Sequence, residues 1–261
     1  MTSRWAERIG GGRPRIGMWL ASGSGYVTEI CAGSGIDWVL LDSEHAPNDL
    51  RTILEQLQVL SGYPDVDVLV RPPSADPVFI KRLLDVGAQN LIVPMIDDAG
   101  EAARAVAATR YPPEGIRGVG SALARASRWN RISDYLATAD ASVSLTVQVE
   151  SLAGMEHLGD IAEVDGVDAV FIGPADLAAS MGRLGQPEHP DVVNTIETAL
   201  AAIVELGKSA GVNAFNKAIA QRYLAAGRVS FWSVPTWHCS PGAPRSWSTS
   251  TRRCVHDRAR H

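Results

Sequence analysis

Cysteine is scarce. Three residues in 261 are too few for a disulfide scaffold, and none has zinc-finger spacing. No apolar run approaches the roughly 20 residues of a bilayer span. Met1 to Arg15 is polar and glycine-rich, without the apolar core of a secretory leader. These absences predict a cytoplasmic protein. Basic charge is also short over most of the chain. The formal net charge is −5, but residues 228–261 hold six arginines, no lysine and one acid. Without that tail, 18 basic residues face 28 acidic ones, which disfavours nucleic-acid binding by the body. A nucleic-acid contact through the tail is a minor alternative, which salt dependence would reveal. What is present is ordinary globular composition, 46% hydrophobic and 20% charged.

Short apolar runs alternate with amphipathic stretches. Strands are expected at 16–21, 38–42, 66–71, 90–94, 145–150 and 169–173, with a short one near 117–120. Helices fit 27–32, 48–60, 76–87, 98–109, 152–163, 191–206 and 217–226, with Asn48 capping the second. Strands alternating with helices demand parallel pairing with helical crossovers. Asp42, Arg71, Pro94, Glu150 and Gly173 all fall at strand carboxyl ends. In a (β/α)8 barrel, whose usual length is about 250 residues, those ends converge on one face. A doubly wound open sheet is the alternative.

Several of these positions carry chemistry. Asp42-Ser43-Glu44-His45 follows a buried strand and reads either as a general base with an orienting carboxylate or as a solvated loop. Arg71 either binds a carboxylate or carbonyl oxygen or makes a surface ion pair. Asp85, near a helix end, reads alone as a solvated residue. Glu150 and Asp176 leave adjacent strands and can share a hard divalent cation, with positions left for water and a bidentate substrate; Asp176 alone also suits a helix cap. Ala175 and Asp176 supply backbone N–H groups at a helix start that suit a carboxylate. Trp19 either walls a pocket or sits in the core. Cys31 reads as a small core residue, and His157 and His189 as helix-end residues. Lys81 and Lys208 lie away from strand ends, which disfavours a Schiff base.

Taken in order, the motifs resemble the HpcH/HpaI aldolases. The resemblance spans about Gly17 to Gly227. It is carried by Gly17-Met18-Trp19-Leu20, by Leu41-Asp42-Ser43-Glu44-His45-Ala46-Pro47, and by Val70-Arg71-Pro72. It continues through Gly115-Ile116-Arg117-Gly118-Val119-Gly120, Ser121 to Asn130, Gln148-Val149-Glu150 and Phe171-Ile172-Gly173-Pro174-Ala175-Asp176. It implies a (β/α)8 barrel, a homohexamer and a role in aromatic-compound catabolism. Glu150 and Asp176 would hold Mg²⁺, Mn²⁺ or Co²⁺. Arg71 would hold the pyruvyl oxygen, and His45 would be the acid/base, supported by Asp85 and Asp42. The Ala175 and Asp176 amides would take the pyruvate carboxylate. Gln148, Gly173 and Pro174 would line the substrate, and Trp19 the aldehyde pocket. The implied reaction cleaves a 4-hydroxy-2-oxo acid, such as 4-hydroxy-2-oxoheptanedioate, to pyruvate and succinate semialdehyde. A 2-keto-3-deoxy sugar acid is the alternative substrate class.

Residues 228–261 depart from the family. They lack Leu, Ile, Glu and Lys, yet hold three of seven Trp and two of three Cys. The expectation is therefore an incomplete barrel over 1–227, its eighth strand and last helix missing or disrupted, followed by a disordered basic tail. The composition suggests a reading-frame slip near Gly227, since moving the frame by two bases, with GC-rich codons chosen to match the tail, gives a strand, a turn and a helix start; a divergent basic tail is the alternative. An impaired remnant is thus an alternative to an active enzyme.

Overall fold

The computed structural model describes residues 3–225 and 229–234. Its strands are β1 (Arg15–Leu20), β2 (Trp38–Asp42), β3 (Asp67–Arg71), β4 (Asn90–Val93), β5 (Ser144–Val149), β6 (Ala169–Ile172), β7 (Ser209–Asn213) and β8 (Phe231–Val234). Helices precede, separate and flank them: α1 (Arg4–Gly10), α2 (Gly25–Ala32), α3 (Leu50–Leu60), α4 (Pro77–Asp85), α5 (Ala99–Thr109), α6 (Tyr135–Thr138), α7 (Leu152–Glu156), α8 (Leu158–Glu163), α9 (Pro174–Ser180), α10 (Pro190–Glu205) and α11 (Lys217–Ala225). All strands are parallel and close into a barrel in chain order.

The eighth strand is present, which corrects the expectation of an open barrel. Phe231 aligns with Gly211 of β7 on one side and with Arg15 of β1 on the other. A strand needs only a correct alternation of faces. The sequence Phe231-Trp232-Ser233 meets that need: Phe231 enters the barrel interior, while Trp232 packs outward among the helix-facing residues. The barrel boundary therefore moves from 227 to at least 234. The expected last helix and the rest of the tail lie outside the described residues.

Two further expectations change. Residues 117–120 form no strand. They run outside the barrel, with Arg117 N–H donating to Arg110 O at 2.9 Å. The seventh strand is instead Ser209–Asn213, short and centred on Gly211. A Cβ at Gly211 would strike the rings of Phe231 and Phe171, so the glycine that weakens the strand signal is required by interior packing. Asn48 is not the cap of α3. Asp49 caps it in a capping box with Thr52. Asn48 is buried and ties strands to helix: its amide donates to Asp42 O at 2.6 Å, and its Oδ1 accepts from Gln56 Nε2 at 2.8 Å.

The residues before β1 also have a structural role. Ser3 caps α1, which buries Trp5 and Ile9. These two side chains enter the amino-terminal end of the barrel and pack with Trp38, Leu40, Leu69, Phe171 and Phe231. Trp5 meets Phe231 edge-on at 5.3 Å between ring centroids. Gly17 makes room for the Trp38 indole, which a Cβ there would strike. The outward faces of the strands form the second core against the helices, through residues such as Val39, Leu41, Val70, Val147 and Val170.

Candidate active site

Side chains alternate along a strand. Trp38 and Leu40 point into the barrel, so Asp42 does as well; Leu69 brings Arg71 inward by the same rule. The carboxyl end of the barrel therefore collects polar side chains above an apolar floor. Arg71 is 3% exposed and Asp42 is 4% exposed. They form a bidentate pair, Nε and Nη2 each 2.8 Å from an Asp42 oxygen. The third guanidinium nitrogen, Nη1, lies 2.8 Å from Glu44 Oε2. Glu44 Oε1 lies 3.8 Å from His45 Nε2. The guanidinium sits 4.2 Å above the Trp19 ring, and the indole N–H donates to Ser233 Oγ on β8 at 2.6 Å. Trp19 thus supports Arg71 and is itself tied to β8.

Across the mouth, Glu150 follows β5 and is 2% exposed. It accepts the Met95 N–H at 3.0 Å and the Gln148 side-chain amide. Burial pushes its carboxyl up to about 7, against those two hydrogen bonds, and the charges of Asp176 and Glu44 raise it further. Burial likewise raises Glu44, against the pull of Arg71 and His45. Gly173 permits this arrangement, because a Cβ there would strike Glu150 Oε2 and lie 3.0 Å from Gln148 Nε2. Pro174 opens α9, and no side chain caps that helix. Its first backbone bond runs from Leu177 N–H to Gly173 O at 3.1 Å, which leaves the Ala175 and Asp176 amides facing out of the helix start.

The donor set fits a hard cation. The Asp176 charge opposes ionisation of both Glu44 and Glu150, and Gln148 Oε1 and Asn213 Oδ1 are buried oxygens without a hydrogen-bond partner among the described residues. Positive charge among them would relieve both conditions. Among the described residues no group of three or more His, Cys, Asp or Glu side chains is placed to hold a metal ion.

The sequence-predicted residues are therefore gathered at one mouth, with one exception. Asp85 ends α4, which runs antiparallel to the strands and carries it to the amino-terminal end of the barrel. There it pairs with Arg117 at 3.1 Å. Within one chain it is not beside His45, and the carboxylate near that imidazole is Glu44. His45 itself is on an exposed loop, its side chain 66% accessible. Sequence reasoning gave no separate role to Glu44 or to Met95. Met95 has φ +56°, a left-handed conformation uncommon for a side-chain-bearing residue; it turns its N–H onto Glu150 just after Pro94. Cys31 is buried, and His157 and His189 serve helix ends.

A parallel barrel whose carboxyl mouth holds buried, charged side chains is the architecture of a (β/α)8 enzyme. The model of the HpcH/HpaI aldolase/citrate lyase family matches residues 15–229, and the chain belongs to that family, making it a carbon–carbon lyase. It is 54% identical over 227 residues to a 4-hydroxy-2-oxo-heptane-1,7-dioate aldolase from Salmonella dublin, covering 87% of this chain and 86% of that protein. An HpcH/HpaI aldolase/citrate lyase family protein from Burkholderia cenocepacia superposes over the full length of both chains, with TM-score 0.86 and 38% identity. A citrate lyase beta subunit from M. tuberculosis, complexed with oxaloacetate and magnesium, shares the fold alone: TM-score 0.58 and 14% identity, over 90% of this chain and all of that one. Among the described residues no helix is long and apolar enough to cross a membrane.

Proposed function

We propose that the protein is a divalent-metal-dependent aldolase that cleaves 4-hydroxy-2-oxoheptanedioate to pyruvate and succinate semialdehyde, and runs the reverse addition. The observation that carries this reading is the buried Asp42–Arg71 pair, joined by Glu44, facing Glu150 and Asp176 across one barrel mouth. Glu150 and Asp176 would hold the cation, which supplies positive charge to the carboxylate and oxo oxygens of a 2-oxo acid.

The chain's own groups do the rest. Arg71 is fixed on three of its nitrogens and presents its charge where the enolate oxygen develops as the C3–C4 bond breaks. Its pairing with Asp42 is made before substrate arrives, so little reorganisation accompanies the reaction. His45 takes the proton of the C4 hydroxyl as the aldehyde forms and returns a proton to C3 of the enolate, which gives pyruvate; Glu44, 3.8 Å away, positions the imidazole. The Ala175 and Asp176 amides orient the substrate carboxylate. Trp19 borders the departing aldehyde. Gln148 keeps the Glu150 carboxylate aimed into the mouth. The second substrate class, 2-keto-3-deoxy sugar acids, requires the same pyruvyl half-site.

The test is pyruvate release from 4-hydroxy-2-oxoheptanedioate by the full chain, with Mg²⁺ or Mn²⁺ and with EDTA. Release that depends on the metal is expected. Equal release in EDTA would overturn the metal role. Release only from a 2-keto-3-deoxy sugar acid would transfer the assignment to that substrate class, and no turnover of either would identify an impaired remnant.

A further inference from the structure

The family motif running from Ser121 to Asn130 is not used by the mouth. It crosses the opposite, amino-terminal end of the barrel, where it carries two arginines to one cavity. Arg125 and Arg128, with the buried Arg117, line a recess of about 160 Å³ between the turn Gly87-Ala88-Gln89 and the Ser142-Val143 approach to β5. Arg125, Arg128, Gly87 and Ser142 also line a neighbouring cleft of about 720 Å³ that extends past Arg4 and Asp67.

The charges there are not balanced. Arg117 is 2% exposed. Its Nη2 reaches Asp85 at 3.1 Å and Tyr135 Oη at 3.3 Å, but its buried Nε has no hydrogen-bond partner among the described residues. Arg125 donates to the carbonyls of Val86 and Leu57. Among the described residues neither Arg125 nor Arg128 has an acidic side chain at ion-pair distance. Burial lowers the basicity of Arg125, and the Arg128 charge lowers it further. Three guanidiniums around one small recess, with one carboxylate among them, incur desolvation and mutual repulsion that a bound anion offsets.

The backbone is arranged to keep them there. Gly87 has φ +103°, and a Cβ at that position would strike Arg125 Nη1. Arg128 is held at φ +52° by the turn around Ser127, whose hydroxyl donates to Ser121 O and accepts the Asn130 N–H at 2.9 Å. The guanidinium forks match tetrahedral oxyanions, and the recess is of the size of a small one.

We propose that this recess is an oxyanion site, separate from the barrel mouth, that takes a phosphate group. The group is either free phosphate or the terminal phosphate of a small metabolite whose remainder extends into the larger cleft.

The test is thermal unfolding and calorimetric titration of the full chain with inorganic phosphate and with glycerol 3-phosphate, against sodium chloride at equal ionic strength. Phosphate is expected to raise Tm saturably, by about 3–6 °C at high occupancy. The variant Arg128→Gln removes an exposed guanidinium that makes no side-chain hydrogen bond among the described residues, and should weaken phosphate about tenfold. Arg125→Gln should weaken it at least as much. Asp176→Asn, which alters the mouth, should leave it unchanged. Tighter binding of glycerol 3-phosphate than of phosphate assigns the site to a phosphorylated metabolite; the reverse assigns it to free phosphate. A Tm effect no larger than that of chloride overturns the site. So does unchanged binding in Arg128→Gln, or loss of binding in Asp176→Asn. A phosphate effect seen only as a change in oligomeric state would reassign the arginines to a subunit contact, and overturn the site equally.

Discussion

The two ends of the barrel interior are closed by opposite chemistries. At the amino-terminal end, α1 inserts Trp5 and Ile9 among Trp38, Leu40 and Phe231, and the packing is aromatic and aliphatic. At the carboxyl end, the same inward face of the same strands presents Asp42, Arg71, Gln148 and Glu150, all nearly inaccessible. The apolar end gains free energy from burial. The polar end carries desolvated charge that a hydrophobic set of equal volume would avoid. That cost is tolerated where charge must be held in place for chemistry, and the plug at the other end helps offset it.

The most severe way to break the polar end is Arg71→Met. Activity should fall by about 10³ or more, as expected when a fixed charge on a developing oxyanion is lost. Stability should fall by about 3–5 kcal/mol, because Asp42 is left buried without its partner. Arg71→Lys cannot restore the bidentate pair and should recover part of the stability but little activity. Urea unfolding beside kcat/KM reads both; intact activity in either variant would remove Arg71 from the mechanism.

Breaking the apolar end should do the reverse. Trp5→Ala should cost about 3–5 kcal/mol in urea unfolding while kcat/KM of the folded protein stays within about twofold. A loss of kcat/KM as large as that of Arg71→Met would show that the two ends are not separable.

A third experiment sharpens the contrast by pH. The Glu150 carboxyl lies at about 7 in the folded chain against an ordinary 4.5. Its folded value is raised, so its favourable contribution is complete below about 4.5 and is lost as pH rises through about 7. In metal-free protein this amounts to about 3 kcal/mol. Glu150→Gln should flatten that part of the stability profile, and the difference between the two profiles isolates it. A divalent cation should remove the loss at high pH in the native chain and leave the already flat profile of the variant unchanged. A metal-free wild-type profile that matched the variant's would contradict the burial argument.

The smallest effect concerns the junction between β1 and β8. Ser233→Ala removes the acceptor for the Trp19 indole, at a cost of about 1 kcal/mol. With Trp19 less firmly held beneath Arg71, kcat should drop a few-fold while Tm changes little; an unchanged kcat would leave Trp19 as a wall only.

Much of this arrangement is legible in the residues. Continuous apolar strands ending in Asp42, Arg71 and Glu150 announce a barrel mouth, because burial on both faces and a charged terminus coincide at each. Other features carry no local signal. The strand Ser209–Asn213 is hidden by Gly211, a choice dictated by two phenyl rings from other strands. The plug α1 lies in a stretch that reads only as polar and glycine-rich, because its two apolar side chains gain meaning only from the barrel they enter. Glu44 is visible in the Asp42–His45 motif, yet its place between Arg71 and His45 depends on a pairing between different loops. Asp85 shows the converse: a resemblance supplies it with a partner that the direction of α4 does not provide within one chain.

The closure of the barrel has a consequence in time. β1 pairs with β2 and with β8, so Arg15 waits for Phe231 while all the intervening strands and helices are made. Contacts this distant along the chain form late. Until Phe231 to Val234 emerge from the ribosome, β1 and β7 both offer unpaired backbone edges, and the growing protein is sticky at the two places that must eventually meet. A chaperone requirement that ends only when β8 is released would be the cellular trace of that delay.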